Sequence, residues 1–227
     1  MHSSNTQLSA DALTETISEL VSRETENPPG NERAASEFIH EWFIERGIDA
    51  ELVSEPYADR PQVAASVGDP DTGPTVVLNG HLDVVPAGNE AEWSHPPYGA
   101  DVTDGNLYGR GSVDMKTGVA VAMHAVASLQ ETLASDDGPD GAVVFQGVVG
   151  EETAEPGTKT LLENGWGGDY GIVLEPTRLR TATSEKGLAW YELTGEGEPA
   201  HASRPDQGEN AVLAARPVLD ALADYDS

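Results

Sequence analysis

The stretch AVVFQGVVGEET, residues 142–153, is the segment that decides the fold of this 227-residue chain. Its first eight residues are apolar or glycine except for Gln146, so polar and apolar side chains do not alternate. Strands that are buried on both faces, as central parallel strands are, have this pattern. The stretch then ends on two adjacent carboxylates, Glu151 and Glu152. It therefore predicts a central strand with acidic side chains at its carboxyl end.

Helices and strands alternate through the region that surrounds this strand. Helices are predicted at residues 9–23, 31–46, 118–133 and 157–164, where apolar residues recur at helical spacing or form a run long enough for a helix. Short runs typical of strands fall at residues 49–53, 62–67, 75–79 and 171–174. Such alternation predicts an α/β domain with a mixed, mostly parallel sheet.

The pattern changes after about residue 185. Residues 188–193 alternate as a strand does, and the loop GEGEPAHASRPDQG at 195–208 leads into a helix from Glu209. Pro217 is expected to kink or break that helix, because proline cannot donate a backbone hydrogen bond. We therefore predict one domain over residues 1–185 and the beginning of a second over residues 186–227.

The chain is strongly acidic, with 12 basic and 40 acidic residues and a net charge of −28. Such a surface repels nucleic acid and anionic membranes. An acidic surface could bind a basic partner or could be an adaptation to high salt, where screening removes self-repulsion. Because the acids are spread along the chain and form no single tail, we favour the halophilic interpretation.

The lack of cysteine limits which metal ligands and which catalytic groups the chain can supply. Cysteine is absent, which excludes disulfides, thiol catalysis and thiolate metal sites. Any metal must therefore be held by carboxylates and histidines. The sequence has no run of about 18 apolar residues and begins without a signal-like pattern, so the expected location is the cytoplasm.

Acidic and histidine side chains follow four elements of the predicted sheet. They lie in GHLDVVP (80–86, with His81 and Asp83), GRGSVDMKTG (109–118, with Asp114), VVGEET (148–153) and IVLEPT (172–177, with Glu175). Sites in open α/β sheets form at the carboxyl ends of strands, so these groups are expected to converge. Oxygen and nitrogen ligands of this kind suit zinc, cobalt or manganese.

Each of these motifs also has a less specific explanation. A His-x-Asp pair is often structural, and adjacent glutamates often form a solvated turn. The Gly-rich turn before Lys116 could suggest a phosphate loop and a phosphate-binding transferase. That pattern requires glycine before the lysine, and Met115 stands there instead, so we discount it.

In combination, the ordered motifs GHLDVVP, GRGSVDMKTG, GEE, LEPT and AHASRP resemble those of a metallopeptidase family. This family includes acetylornithine deacetylase, succinyl-diaminopimelate desuccinylase, aminoacylase and glutamate carboxypeptidase. The resemblance extends from about residue 12 to the end of the chain. It implies a zinc-exopeptidase-like catalytic domain followed by an α+β lid domain through which two subunits dimerise.

The resemblance also implies a set of metal ligands for two divalent ions, zinc or else cobalt or manganese. Asp114 would bridge both ions, His81 and Glu175 would bind one of them, and Glu152 would bind the other. The peptide bond between Asp114 and Met115 would be cis.

The remaining implied roles concern catalysis. Glu151 would be the general base and later the acid that protonates the leaving amine. Asp83 would accept a hydrogen bond from His81 and fix its tautomer. His201 would reach the partner subunit's active site in a homodimer and help to hold the substrate carbonyl.

The chain departs from the family pattern in its length. Members of the family continue into a complete lid and a resumed catalytic segment that supplies a last metal-binding histidine, and no histidine follows His201 here. We therefore expect a fragment, in which the metal site that uses Glu152 lacks a ligand. The expected activity of the intact protein is hydrolysis of the amide bond in a small N-acyl amino acid or peptide, by a deacylase or carboxypeptidase. The alternative is a fragment that keeps part of the fold without activity.

Overall fold

The computed structural model describes residues 9–225 apart from Glu185, Leu188 and Trp190. The chain forms two compact units, which divide between Arg180 and Thr181. The assignment of residues 186–227 to the beginning of a lid domain stays a prediction.

The first unit contains four α-helices and seven strands among its described residues. In chain order these are α1 (Ala10–Val21), α2 (Arg33–Ile44), β1 (Asp49–Val53), β2 (Gln62–Asp69), β3 (Thr75–His81), β4 (Asp101–Thr103), β5 (Asn106–Tyr108), α3 (Thr117–Leu133), β6 (Gly141–Val148), α4 (Gly157–Glu163) and β7 (Tyr170–Val173). The Ser9 side chain caps α1 by accepting a hydrogen bond from the Ala12 amide at 3.0 Å.

Five of the strands form one sheet in the order β1-β2-β6-β3-β7, and β4 and β5 form a separate hairpin. Strand β3 is parallel to both β6 and β7, whereas β2 is antiparallel to both β1 and β6. Four of the five strands therefore point in the same direction. The prediction of a mixed, mostly parallel sheet in an α/β domain is confirmed.

Strand β6 lies at the centre of this sheet and is buried along its length except at Val143, which is half-buried. Phe145 packs with Phe43 of α2 and Met123 of α3 on one face, and Val148 packs with Leu161 of α4 on the other. Gln146, its one polar side chain, accepts from Asn79 at 2.7 Å and donates to the Trp166 carbonyl at 2.6 Å. The polar interruption is therefore satisfied inside the core.

The second unit contains two short α-helices among its described residues, α5 (Ala211–Ala214) and α6 (Arg216–Ala223). Ala215 separates them, and Pro217 lies in the first turn of α6, so the predicted break at this proline is confirmed. The predicted strand at 188–193 includes Leu188 and Trp190, which lie outside the described residues, and residues 191–193 adopt no strand. None of the helices in the described ranges is long and apolar enough to cross a membrane.

Candidate metal centre

The side chains that the sequence singled out in the first unit lie together at one edge of the sheet. His81 is the last residue of β3, and the parallel register pairs it with Val148, the last residue of β6. Glu151 and Glu152 occupy the turn that follows β6, and Glu175 follows β7 by two residues. Because parallel strands bring their carboxyl ends to the same edge, this convergence follows directly from the topology.

The His81 imidazole is the centre of the cluster. Its Nε2 atom lies 3.1 Å from an Asp114 carboxylate oxygen, 3.8 Å from one of Glu175 and 3.9 Å from one of Glu151. The ring is 2% exposed, whereas the Asp114 and Glu151 side chains are 57% and 54% exposed. The histidine is thus fixed in the core, and the acidic side chains face solvent around it.

Two groups of side chains in the described part of the chain have a geometry that could hold a metal ion. One consists of His81, Asp114 and Glu175, and the other of His81, Glu151 and Glu152. Within each group the potential ligand atoms lie within 4.8 Å of one another. The groups share His81 and not Asp114, so the bridging role predicted for Asp114 stays a proposal. The predicted cis peptide bond between Asp114 and Met115 is present.

Asp83 is fully buried, and its carboxylate is engaged by three amide donors. It accepts hydrogen bonds from the Asn27 side chain at 3.0 Å and from the backbone amides of Glu151 and Glu152 at 3.2 and 3.1 Å. The nearest distance from the carboxylate to His81 Nδ1 is 3.6 Å. The hydrogen bond expected from His81 to Asp83 therefore does not use the carboxylate, because amide donors already occupy it.

The backbone carbonyl oxygen of Asp83 accepts the expected hydrogen bond from His81. It lies 2.8 Å from His81 Nδ1, so the ring nitrogen donates its proton to this oxygen. In the neutral ring, Nε2 then carries the lone pair and faces the carboxylates, as a metal-binding histidine requires. The main-chain oxygen of Asp83 thus accepts the predicted hydrogen bond from His81, and it favours the neutral tautomer that carries its proton on Nδ1.

The electrostatics of the cluster show a strong excess of negative charge. Burial alone lowers the pKa of His81, but the surrounding negative charges, first that of Asp83, raise it overall. Burial raises the pKa of Glu152 and of Glu175, and although the His81 charge opposes this effect, neighbouring carboxylates add to it. A divalent cation would offset this charge, and carboxylate oxygens with one imidazole nitrogen are suitable ligands for zinc, cobalt or manganese. The donor set therefore fits the predicted metals.

A cavity of about 250 Å³ opens beside the cluster. Asp114 and Glu152 line it, together with Val85, Arg110 and Ser112 among others. This volume accommodates a small polar molecule next to the carboxylates.

Sequence reasoning missed several buried residues that support the site. Asn27, the first residue of the NPPG segment at 27–30, donates to the Thr153 hydroxyl at 2.7 Å as well as to Asp83. Lys116 is 1% exposed and donates to the Arg23 carbonyl at 2.7 Å, and burial lowers its pKa to about 7. Its ammonium group therefore supports the fold, which argues further against a phosphate loop.

His201 lies in the second unit and is exposed. Its Nδ1 atom accepts a hydrogen bond from the Ser203 backbone amide at 3.2 Å and lies 2.9 Å from the Ser203 hydroxyl. The role that the sequence suggested for this residue stays a prediction.

Comparison with known proteins identifies the class to which these motifs belong. Residues 77–224 match the family model described as peptidase family M20/M25/M40, and the chain belongs to that family. It is 32% identical over 198 residues to a probable succinyl-diaminopimelate desuccinylase of Staphylococcus aureus, covering 86% of this chain and 48% of the relative. It is also 32% identical over 222 residues to succinyl-diaminopimelate desuccinylase 2 of Ruegeria, covering 93% and 53%. The chain thus spans about half the length of these curated relatives.

Solved structures share the fold. A tripeptidase from Staphylococcus aureus matches with a TM-score of 0.59 at 20% identity, covering 92% of this chain and 56% of the other. Human carnosine dipeptidase 1 matches with a TM-score of 0.56 at 25% identity, covering 72% and 38%.

Proposed function

We propose that this chain carries the metal-binding and proton-transfer groups of a hydrolase that cleaves an amide bond. The substrate would be a small N-acyl amino acid or a peptide with a free carboxylate. The observation that carries this proposal is the convergence of His81, Asp114, Glu151, Glu152 and Glu175 at the carboxyl ends of adjacent parallel strands. Membership of the M20 family and similarity to desuccinylases support the reaction class.

The cluster would hold two divalent cations, zinc or else cobalt or manganese. His81 and Glu175 would bind one, Glu152 would bind the other, and Asp114 would serve both. When bound, such a pair polarises the amide carbonyl and makes the attacking water more acidic. The protein contributes a buried imidazole whose tautomer is fixed and carboxylates whose excess charge favours cation binding.

Glu151 would move the proton. It is the more exposed of the two adjacent glutamates, so its carboxylate is free to meet a substrate, whereas Glu152 is half-buried. It would take a proton from the attacking water and deliver it to the departing amine. Asp83 would act through this residue and its neighbour, because its carboxylate holds both of their backbone amides.

The cavity beside Asp114 and Glu152 would accept part of the substrate. His201 would donate a hydrogen bond to the substrate carbonyl across a homodimer, a role supported by the resemblance of the AHASRP segment to the family's lid motif. Ser203 supports this role by occupying Nδ1, which leaves Nε2 as the donor in the neutral ring.

The matched variants Glu151→Gln and Glu152→Gln test the proposal in the full-length gene product. Glu151→Gln should keep its metal content and lose turnover by about 10²–10⁴-fold, because it removes only a proton carrier. Glu152→Gln should lose metal as well as turnover. Metal content measured by mass spectrometry separates the two, with N-acetyl, N-succinyl and dipeptide substrates for turnover. Metal loss in Glu151→Gln alone would show that the two roles are exchanged, and full turnover in both variants would reject the proposal.

A further inference from the structure

The turn that carries Glu151 and Glu152 has a conformation that depends on outside support. Gly150 and Ala154 both adopt the left-handed region, at φ values of +82° and +56°. Two backbone hydrogen bonds close the turn, from Ala154 to the Glu151 carbonyl at 2.9 Å and from Glu155 to the Gly150 carbonyl at 2.7 Å. A left-handed alanine is unfavourable, so contacts beyond the turn must stabilise this shape.

Glu155 connects the end of this turn to a buried ion-pair network. Its Oε2 atom lies 2.9 Å from Arg60 Nη1, and its Oε1 atom accepts a hydrogen bond from the same nitrogen at 3.3 Å. The other edge of the Arg60 guanidinium makes a forked contact with Glu32, at 2.8 Å from Nε and 2.6 Å from Nη2. Arg60 thus joins the beginning of α2 to the turn that bears the proposed base.

The network is enclosed by the chain segment that also contacts the site. The Glu32 side chain is fully buried, and those of Arg60 and Glu155 are 10% and 24% exposed. The backbone of Gly30 packs so closely against the guanidinium that a Cβ there would lie 2.3 Å from Arg60 Nε. The same NPPG segment supplies Asn27, which binds Thr153 in the turn. The guanidinium therefore has little freedom to move.

We propose that Arg60, acting through Glu155, is a positioning residue that fixes the Gly150–Glu155 turn and with it the Glu151 carboxylate. This inference rests on the proposed function, in which Glu151 moves protons. Asp114 and Glu175 are carried by other elements, before α3 and after β7. Loosening the Arg60 network should therefore disturb Glu151 and Glu152 and leave the His81–Asp114–Glu175 group in place.

The charges of the network decide which variant is informative. One guanidinium serves two carboxylates, and the forked contact with Glu32 uses the Nε and Nη2 edge. Replacing Arg60 would leave the fully buried Glu32 unpaired, which is strongly destabilising and could unfold the chain. Glu155→Gln instead keeps the Arg60–Glu32 pair and the side-chain shape, and it removes only the charge that holds the turn. Glu37→Gln is the matched control, because it breaks the exposed Arg33–Glu37 pair on α2.

Hydrogen exchange of the chain gives a readout that needs neither metal nor turnover. In Glu155→Gln the amides of residues 150–155 should exchange about tenfold faster or more, the loss expected when a charge-assisted contact goes. Exchange in α1, β3 and β7 should stay unchanged, and Glu37→Gln should match the unsubstituted chain throughout. Unchanged exchange in the turn would overturn the proposal. An equal rise throughout α2, β2 and the turn would also overturn it, since that would indicate general destabilisation.

Kinetics in the full-length gene product test the link to the reaction. Glu155→Gln should lower kcat about tenfold with a smaller change in KM, because the base is misplaced while all the residues that line the cavity except Glu152 lie outside the turn. A rise in KM at constant kcat would overturn the proposal. Glu151→Gln, assayed in parallel, keeps the two hypotheses apart: if it retains turnover, the proposed function fails, and the exchange result still decides whether Arg60 holds the turn.

Discussion

Replacing Asp83 by asparagine tests how the buried carboxylate organises the centre. The carboxylate accepts three hydrogen bonds, from the Asn27 side chain and from the amides of Glu151 and Glu152. An asparagine keeps at most two of them, and its NH₂ group then faces the third donor. A hydrogen bond to a charged group contributes about 1.5–3 kcal/mol, and an unpaired buried donor costs about 1–3 kcal/mol.

Removing the Asp83 charge also relieves repulsion, because that charge contributes to the raised pKa of Glu152. We therefore expect a net loss of about 2–4 kcal/mol in the free energy of unfolding. For a unit of this size such a loss lowers Tm by roughly 5–15 °C. Affinity for a probe metal such as Zn²⁺ should fall as well, since the Glu151–Glu152 turn is released.

The assay is urea unfolding together with zinc titration, with Asp69→Asn as the matched control. Asp69 is also an aspartate that accepts a backbone amide, from Asp71 at 2.9 Å, but it is exposed. The control should change stability by less than about 0.5 kcal/mol. If Asp83→Asn were as stable as the control and bound zinc equally well, the assignment of the carboxylate as the support of the turn would be refuted.

Three further predictions concern charge and protonation. Because the chain has a net charge of −28, its Tm should rise between 0.1 M and 1 M salt. The Debye length falls from about 10 Å to about 3 Å over this range, so the acidic side chains repel one another less. A constant Tm would contradict the halophilic interpretation. Hydrogen bonds from the Ala87 amide and from Tyr98 lower the pKa of Glu26 in the folded state. The ionised Glu26 carboxylate therefore stabilises the fold above the pKa that Glu26 has in the unfolded chain, and this stabilisation is lost as the pH falls through the lower pKa of the folded state. Tyr98→Phe should therefore flatten the acid side of the stability profile, and an unchanged profile would argue against this contact. The neutral His201 ring should carry its proton on Nε2, as long-range ¹H–¹⁵N spectra would show, and Ser203→Ala should preserve that tautomer, because the backbone amide of residue 203 remains.

The elements that the sequence predicted correctly are those marked by local patterns. The apolar run at 142–149 identified β6, and Pro217 identified the break between α5 and α6. The ligand cluster was predictable largely for the same reason, because most of its residues follow an apolar run. Asp114 is the exception and stands in a Gly-rich turn before α3. Strand order was less accessible: only five residues separate β2 from β3, yet β6 lies between them in the sheet.

The supporting contacts could not be predicted because they join residues that are distant in sequence and have no shared motif. Arg60 pairs with Glu32 and Glu155, which are 28 and 95 positions away. The hydrogen bond from His81 to Asp83 was predicted, but the contacts of the Asp83 carboxylate were missed for a different reason. The sequence places it two residues from His81, but only the folded backbone shows that its carbonyl reaches the imidazole while its carboxylate turns towards the Glu151 and Glu152 amides.

Some carboxylates in and around the centre are exposed and others are fully buried, and this difference explains how a highly acidic chain can bring several of them together. The side chains proposed for chemistry are partly exposed, at 57% for Asp114, 54% for Glu151 and 36% for Glu175, so water screens their mutual repulsion. The carboxylates that hold the framework, those of Asp83 and Glu32, are fully buried and engaged by amide and guanidinium donors. Because these buried carboxylates are already satisfied, an incoming cation would draw on His81 and on the carboxylates that are exposed or half-buried. The framework can therefore stay fixed while the exposed carboxylates adjust to a metal or a substrate.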